Sequence, residues 1–389
     1  MTKKWNSRLT FLAFVVLMVG LGSNDSLRGI FSTIFQEHFS LTTTQLGLIV
    51  TASYIGNLVF LLVGGNLSTR FSKKRVLQVL ILIWMAALAL FAFTSNYTVL
   101  LIGMALALGS STLLNTTMNL ITPLLFATAP GFFVNFLFFT QEIGTSGSQY
   151  ILGSHADGFA FWQHTNLVLL ILGAVAFVLL LFCNVPEEAA DPADTPAQKG
   201  GYDWRIIVPY VLVFGFYFIA EHGVMNWMVA YGVDGLGLPQ ASAAKYLSVF
   251  FGGMMIGRLC LSPLVDKLGA LKSLAAFGGV SCVLYLIGSL GGAVTMPVWA
   301  ISGLSFSILY PTLVMSIRLY FPAQQVSGAA GTILSIASLA DILFNVGFGK
   351  LVDMAGYAVS IRVLPLSALA FFIVFMLFTK FCKPTQKLK

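Results

Sequence analysis

The chain has 389 residues, of which 58% are hydrophobic and only 9% are charged, and its mean hydropathy is +0.90. Soluble domains carry roughly 25% charged residues, so this chain cannot cover a globule of its size with ionic surface. These values exclude a water-soluble enzyme and a disordered chain, and the long apolar runs exclude a β-barrel, which needs strict alternation. The net charge of +7 includes no basic, aromatic-interleaved patch, so we expect no nucleic acid partner.

Twelve membrane-spanning helices are predicted, because a span needs roughly 20 apolar residues and the chain breaks at charged or Pro-, Gly- and Asn-rich segments. Six lie in the first half, over residues 9–35, 44–67, 76–93, 99–126, 132–153 and 166–183. Six follow in the second half, over residues 204–231, 243–264, 273–290, 297–317, 327–351 and 358–378.

The segment between the halves is polar and rich in Pro, Ala and acidic residues, which predicts a flexible linker. We therefore expect an all-α integral membrane protein with a six-helix half at 1–185, a cytoplasmic linker at 186–203 and a second six-helix half at 204–389. Most Lys and Arg residues fall on one side of these spans, which predicts that both termini are cytoplasmic. The expected location is the bacterial inner membrane, with several passes through the lipid.

Two pairs of motifs indicate an internal repeat. The basic loop that contains Thr69 after the second span matches the loop that contains Asp266 after the eighth, 197 residues later. The sequence Gly-x-x-x-Asp begins at Gly153 and again at Gly349, 196 residues later. Two six-span halves around a central cavity are typical of transporters.

Polar residues repeat at helical spacing in two predicted spans. Ser111, Asn115 and Asn119 share one face of the fourth span, and Asp341 and Asn345 share one face of the eleventh. Each stripe marks a face turned away from lipid, either toward a cavity or toward hydrogen bonds between helices.

Three features resemble the major facilitator superfamily. These are the basic loop after the second span, the matching loop after the eighth span, and the repeat of two six-span halves. Within the superfamily, several strings resemble the fucose/galactose/glucose proton symporter family: Asn24-Asp25, Leu114 to Asn119, Ala220-Glu221 with Trp227, Gly257-Arg258, and Ser307 to Thr312. The resemblance implies alternating access, a monosaccharide in the cavity and coupling to protons. It places Asp25 at the acid used for proton coupling. The sequence departs from the family at Asn115, where the family has an acid, and at Thr69, where the superfamily loop usually has Asp.

The sequence offers candidates for three roles. Carboxylates within spans are costly and functional by default, so the proton-coupling candidates are Asp25, Glu221, Glu142 and Asp341, with a structural Asp25–Arg28 ion pair as the alternative for Asp25. Amides beside aromatic rings suit a sugar, so the substrate-binding candidates are Asn24, Asn115, Asn119, Gln141, Asn226, Trp227, Tyr310 and Asn345. Charged residues at cytoplasmic helix ends resemble the family's gate, and two arginines inside spans, Arg28 and Arg258, are added to them. The gating candidates are Arg28, Arg70, Lys74, Arg75, Arg258, Asp266 and Lys267.

The sequence thus predicts a secondary active transporter that imports a small neutral sugar with protons, acts as a monomer and needs no cofactor or metal. The alternatives are a proton-driven exporter of drugs or metabolites on the same fold and a sodium-coupled sugar symporter. A membrane enzyme is disfavoured, because no nucleophile-base set, metal-ligand cluster or phosphate loop is present in the sequence. The lone His222 is interpreted as a structural residue and is left out of the mechanism.

Overall fold

The computed structural model describes residues 3–126, 130–186 and 203–384, with all their side chains except those of 3–4, 63–70, 130–132, 135, 266, 323–324 and 327. Throughout these ranges the regular secondary structure is helical, without a β-strand. The chain divides into two compact units, Met1–Ala190 and Asp191–Lys389. The all-α fold class is confirmed. The predicted boundaries at 185 and 203 remain a prediction, since residues 187–202 lie outside the described part.

Two long helices of the first unit begin after a polar N-cap residue. Ser72 accepts a hydrogen bond from the backbone N–H of Arg75, and Asn96 accepts from those of Thr98 and Val99, so each satisfies amides that a helix start leaves unpaired. The helices of this unit are α1 (Lys3–Ile30), α2 (Ser32–His38), α3 (Thr43–Arg70), α4 (Lys73–Phe93), α5 (Tyr97–Leu125), α6 (Pro130–Ile151) and α7 (Phe159–Leu181).

The second unit contains more and shorter helices. Gly269 and Gly356 interrupt it with φ angles of +81° and +75°, a backbone conformation that L side chains rarely adopt. Its helices are α8 (Trp204–Ala230), α9 (Gln240–Leu268), α10 (Ala270–Leu290), α11 (Met296–Ile301), α12 (Gly303–Phe306), α13 (Leu309–Ser316), α14 (Ala323–Ala355), α15 (Tyr357–Ser360) and α16 (Val363–Phe381), and α8 continues into a π turn at Tyr231–Gly235.

Eleven segments of the described chain are long and apolar enough to cross a membrane. Eleven of the twelve predicted spans coincide with them. The predicted fifth span coincides with α6, which is a helix but is not one of the eleven, because its C-terminal half is rich in polar residues such as Gln141, Glu142 and Gln149. The count of twelve spans therefore stays a prediction.

The predicted tenth span is a single membrane-crossing segment that is divided into α11, α12 and α13. Ser302, Ser305 and Ser307 each donate their hydroxyl to the carbonyl three residues earlier, which competes with the regular helical bond. Pro297 and Pro311 add positions without a backbone N–H. The sequence contained these residues, but apolar length alone predicted one continuous helix.

A close backbone contact in the first unit joins α1 to α6. A Cβ at Gly144 would overlap the carbonyl oxygen of Val19, and a Cβ at Gly22 would overlap that of Gln141. Across the same contact the Thr145 hydroxyl donates to the Gly22 carbonyl over 3.2 Å. Small residues and interhelical hydrogen bonds are what drive helix association in lipid, where apolar side chains gain little.

The same kind of contact recurs in both units at the spacing of the sequence repeat. Gly56 on α3 packs on the backbone of Ala105 on α5, and Gly253 on α9 packs on α12, where a Cβ would lie 3.0 Å from the backbone nitrogen of Leu304. Gly56 and Gly253 are 197 residues apart. The second and fourth long segments of each half therefore pack in an equivalent way, which supports the repeat inferred from the loops.

Replacement of Gly144 by Ala is expected to destabilise the protein, because the new Cβ has no space between α6 and α1. Overpacking of this kind costs about 1 to 3 kcal/mol. We expect a lower apparent melting temperature of the detergent-purified protein. The matched control is Gly147→Ala on the same helix, where a Cβ would meet nothing within 4 Å. Equal melting temperatures for the two variants would contradict this packing.

Candidate functional site

Asp25 lies near the C-terminal end of α1 and is held by two neutral donors. The Ser111 hydroxyl on α5 donates to its Oδ2 over 3.0 Å, and the Asn24 amide donates to its Oδ1 over 3.3 Å. Asp25 is partly exposed, whereas Asn24 and Ser111 are buried. The carboxylate therefore links α1 to α5.

Arg28 shares the end of α1 with Asp25 but points to α3. Its side chain is 5% exposed, and its guanidinium carbon lies 5.6 Å from the centre of the Tyr54 ring, a cation–π contact. Arg28 acts on Asp25 electrostatically, while the hydrogen bonds to the carboxylate come from Ser111 and Asn24. The geometry favours this arrangement over the structural ion pair that the sequence left open.

A chain of amides connects α5 to α6. The Asn119 amide donates to Asn115 Oδ1 over 2.6 Å, and the Asn115 amide donates to Gln141 Oε1 over 2.7 Å. All three side chains are partly exposed. The predicted stripe on the fourth span and the predicted Gln141 are thus brought together, and we call Asn115, Asn119 and Gln141 the amide chain.

The Asp25 site and the amide chain lie on the same face of α5. Ser111, which binds Asp25, is one helical turn before Asn115, a rise of about 6 Å. Glu142 is partly exposed next to Gln141 in the sequence, on a neighbouring face of α6. One unit therefore places an ionisable group and three neutral amides within about two helical turns.

The second unit holds a separate buried network between α8 and α14. His222 Nδ1 lies 2.6 Å from Asp341 Oδ2, and the Asp341 side chain is 2% exposed. The Asn345 amide donates to the Asp341 carbonyl over 2.9 Å, and the Trp227 indole donates to Asn345 Oδ1 over 3.0 Å. We call these four side chains the α8–α14 network.

An aromatic group adjoins the α8–α14 network. The Phe218 ring stacks on His222 with centroids 5.3 Å apart and planes 5° apart, and it lies 6.1 Å from the ring of Tyr310. Glu221 and Arg258 both act electrostatically on Tyr217 and on Tyr310, which places these charges in the same region. Arg258 therefore lies in the region of Glu221 and Tyr310, and the gating role predicted for it stays a prediction.

Several predicted substrate-binding residues are buried in this structure. Trp227 and Asn345 are 0% exposed and bind each other, and Asn226 is 2% exposed. Tyr310 is partly exposed. These buried residues lie within the helix packing of the second unit, and their contact with substrate stays a prediction.

The predicted gate is described only in part. The side chains of Arg70 and Asp266 lie outside the described residues. The Lys74 ammonium donates to the carbonyl of Leu181 at the end of α7, and Arg75 and Lys267 are exposed. The gating roles of these residues therefore stay predictions.

Sequence reasoning did not predict the contact between His222 and Asp341. A single His within a span was interpreted as structural, although a buried Asp in a second span also required a partner. The available signal was that two rare ionisable groups occurred in two spans of the same half. Their pairing needed the relative rotation of α8 and α14, which the sequence does not specify.

Comparisons with known proteins agree with this architecture. The profile of the Major Facilitator Superfamily matches residues 10–340. The L-fucose-proton symporter of Escherichia coli (strain K12) is 24% identical, over 93% of this chain and 90% of its own length. The glucose/galactose transporter of Brucella abortus biovar 1 (strain 9-941) is 26% identical, over 91% of this chain and 90% of its own.

A solved structure shows the same fold. The crystal structure of a D-xylose-proton symporter superposes with a TM-score of 0.79 at 16% identity, covering 97% of this chain and 98% of that one. Because the family profile spans most of the sequence, the resemblance noted there is confirmed. The chain belongs to the Major Facilitator Superfamily and is a multi-pass transporter of the bacterial inner membrane, not an enzyme.

Proposed function

We propose that this transporter imports a small neutral sugar, a monosaccharide, together with protons by alternating access. The observation that carries the proposal is that Asp25 and Gln141 bind the same face of α5, at Ser111 and at Asn115, one helical turn apart. The names of the fucose and glucose/galactose relatives support a sugar as substrate.

The amide chain suits a sugar because of its chemistry. Each sugar hydroxyl both donates and accepts a hydrogen bond, and each Asn or Gln amide offers both functions on one planar group. Asn115, Asn119 and Gln141 are uncharged, which favours a neutral substrate over an anion. Tyr310 stays a predicted substrate contact, because an aromatic ring is the kind of surface on which the C–H face of a sugar stacks.

Asp25 is proposed as the proton carrier. Its ionised form places a charge within a span, where an unpaired charge is costly, and protonation removes that charge. Ser111 and Asn24 stabilise the anion, so the site can hold either form. Because Ser111 and Asn115 share α5, sugar binding at the amide chain can alter the bonds that hold the Asp25 anion.

The remaining candidates keep subordinate roles in the proposal. Glu142, Glu221 and Asp341 stay candidates for proton coupling beside Asp25, while Asn24, Asn226, Trp227 and Asn345 contact substrate only in a conformation that exposes them. We propose gating for Arg28 and for the charged helix ends at Arg70, Lys74, Arg75, Asp266 and Lys267, with Arg258 acting beside Glu221.

The topology follows from the same reasoning. We propose α6 as the twelfth span, because its polar residues Gln141 and Thr145 contact α5 and α1 and need not face lipid. Both termini are proposed to be cytoplasmic, with the halves at 1–185 and 204–389 joined by the linker 186–203. The transporter works as a monomer without a cofactor, driven by the proton gradient. One proton at 100 mV supplies about 2.3 kcal/mol, which sustains roughly a 40-fold sugar gradient.

Replacement of Asp25 by Asn is expected to abolish uphill sugar accumulation, because the variant cannot bind and release a proton. Exchange of labelled for unlabelled sugar across proteoliposomes should persist, since exchange needs no net proton movement. The control is Asp157→Asn, an exposed acid outside the spans, which should accumulate sugar normally. Normal accumulation by the Asp25 variant would remove this residue from coupling, and accumulation that depends on Na⁺ alone would replace the proton in the proposal.

Replacement of Asn115 or of Gln141 by Ala is expected to weaken sugar binding, because each removes a member of the amide chain and leaves its partner unpaired. The loss of one such hydrogen bond costs about 1 kcal/mol or somewhat more, so Kd should rise roughly fivefold to tenfold. A binding titration on the purified protein measures it. Thr116→Ala is the matched control on α5, since Thr116 is exposed and its hydroxyl bonds only to its own helix at Thr112. Unchanged affinity in both amide variants would move the sugar site elsewhere.

A further inference from the structure

The α8–α14 network contains a titratable pair that the proposed coupling at Asp25 does not use. We propose that His222 and Asp341 form a second proton-binding site, located in the second unit, so that two protons accompany each sugar. The inference rests on the proposed proton-coupled transport and adds its stoichiometry.

The contact is short and its acid is buried. His222 Nδ1 and Asp341 Oδ2 are 2.6 Å apart, within the range of a charge-assisted hydrogen bond. The Asp341 side chain is 2% exposed, whereas that of His222 is 25% exposed. The carboxylate is therefore closed off, and the imidazole is the member of the pair that a proton can reach.

The pair changes its charge by one unit when it binds a proton. With Nδ1–H donating to Asp341, a neutral imidazole leaves the pair with one negative charge. A proton taken at Nε2 makes an imidazolium and brings the pair to zero charge. A neutral pair is favoured within a span, and histidine is the side chain that titrates near neutral pH.

The rest of the network holds Asp341 in place while the ring titrates. The Asn345 amide donates to the Asp341 backbone carbonyl over 2.9 Å and lies 3.4 Å from Asp341 Oδ1, and Trp227 fixes that amide from α8. Phe218 stacks flat against the imidazole, with planes 5° apart. The carboxylate thus has a fixed position toward which the imidazolium can be drawn.

Other titratable and charged groups face this part of α8. The helix itself contributes Glu221 and Tyr217, α9 contributes Arg258, α10 contributes Tyr285, whose hydroxyl donates to the Ala220 carbonyl, and α13 contributes Tyr310. The π turn after α8 contributes Tyr231 and Asp234, and α16 has no titratable side chain between residues 363 and 378. Asp341 contacts the His222 ring directly, through the 2.6 Å hydrogen bond.

The stoichiometry is measured from the sugar gradient that exactly balances a known pH gradient. Proteoliposomes with the membrane potential clamped at zero would be loaded with labelled D-glucose, D-galactose or L-fucose in turn, under a gradient of about one pH unit. Each coupled proton balances about a tenfold sugar gradient per pH unit. We expect one pH unit to balance a sugar gradient of about 100-fold in the wild type. In His222→Gln and in Asp341→Asn it should balance a gradient of about tenfold, with sugar exchange retained.

The outcomes separate this inference from the proposed function. His164→Gln, the same substitution at an exposed site in the first unit, should stay near 100-fold. If one pH unit balances a sugar gradient of only about tenfold in the wild type, the second proton site is overturned regardless of the variants. Proton coupling itself would still stand. A wild type in which the pH gradient supports no gradient of any of the three sugars overturns the proposed function.

A second measurement needs no sugar. Nitrogen NMR of protein labelled at its four histidines would follow ring protonation, with His222→Gln used to assign the resonance. We expect the His222 ring to change protonation state between about pH 5 and 9, and the titration to move in Asp341→Asn but not in Asp157→Asn. A ring that stays in one protonation state over this range would overturn the second proton site even if no substrate is found.

Discussion

Much of this structure depends on the cost of placing a polar group among lipid-facing helices. A charged side chain at the centre of a span costs about 2.5 to 3.5 kcal/mol on insertion scales, and each must find a partner or a cavity. Asp25 is paired with Ser111 and Asn24, and Asp341 with His222. The bonds from Ser111 to Asp25 and from His222 to Asp341 each join two helices of one unit. The need to pair these acids therefore also ties α1 to α5 and α8 to α14.

The same constraint explains the combination of close packing and polar chemistry on α6. Gly144 lets α6 approach α1 to backbone contact, and that approach brings Gln141 within 2.7 Å of Asn115 on α5. Neutral amides are cheaper to bury than charges, because their donors and acceptors can satisfy one another. A sugar can replace such internal bonds with its own hydroxyls. We therefore relate the substrate specificity proposed for this transporter to the composition of α5 and α6.

The sequence predicted most of the fold because apolar length is a direct requirement of the bilayer. Eleven predicted spans coincide with membrane-crossing segments, and the stripe at Ser111, Asn115 and Asn119 predicted a shared face of α5. The divided tenth span was not predicted, since its serine back-bonding is a local competition that hydropathy ignores. The pairing of His222 with Asp341 was missed because it depends on how two helices are rotated, and the Asp25–Arg28 pair was left open for the same reason.

Joint entry of a neutral sugar and a proton can be followed through the pH outside de-energised proteoliposomes that carry the protein. Hexoses, deoxyhexoses, disaccharides and amphipathic cations would be added in turn, with and without Na⁺. We expect one monosaccharide to make the outside medium more alkaline as protons move inward with it, without a need for Na⁺. A steady pH with every sugar, together with a response to the cations or a requirement for Na⁺, would contradict it.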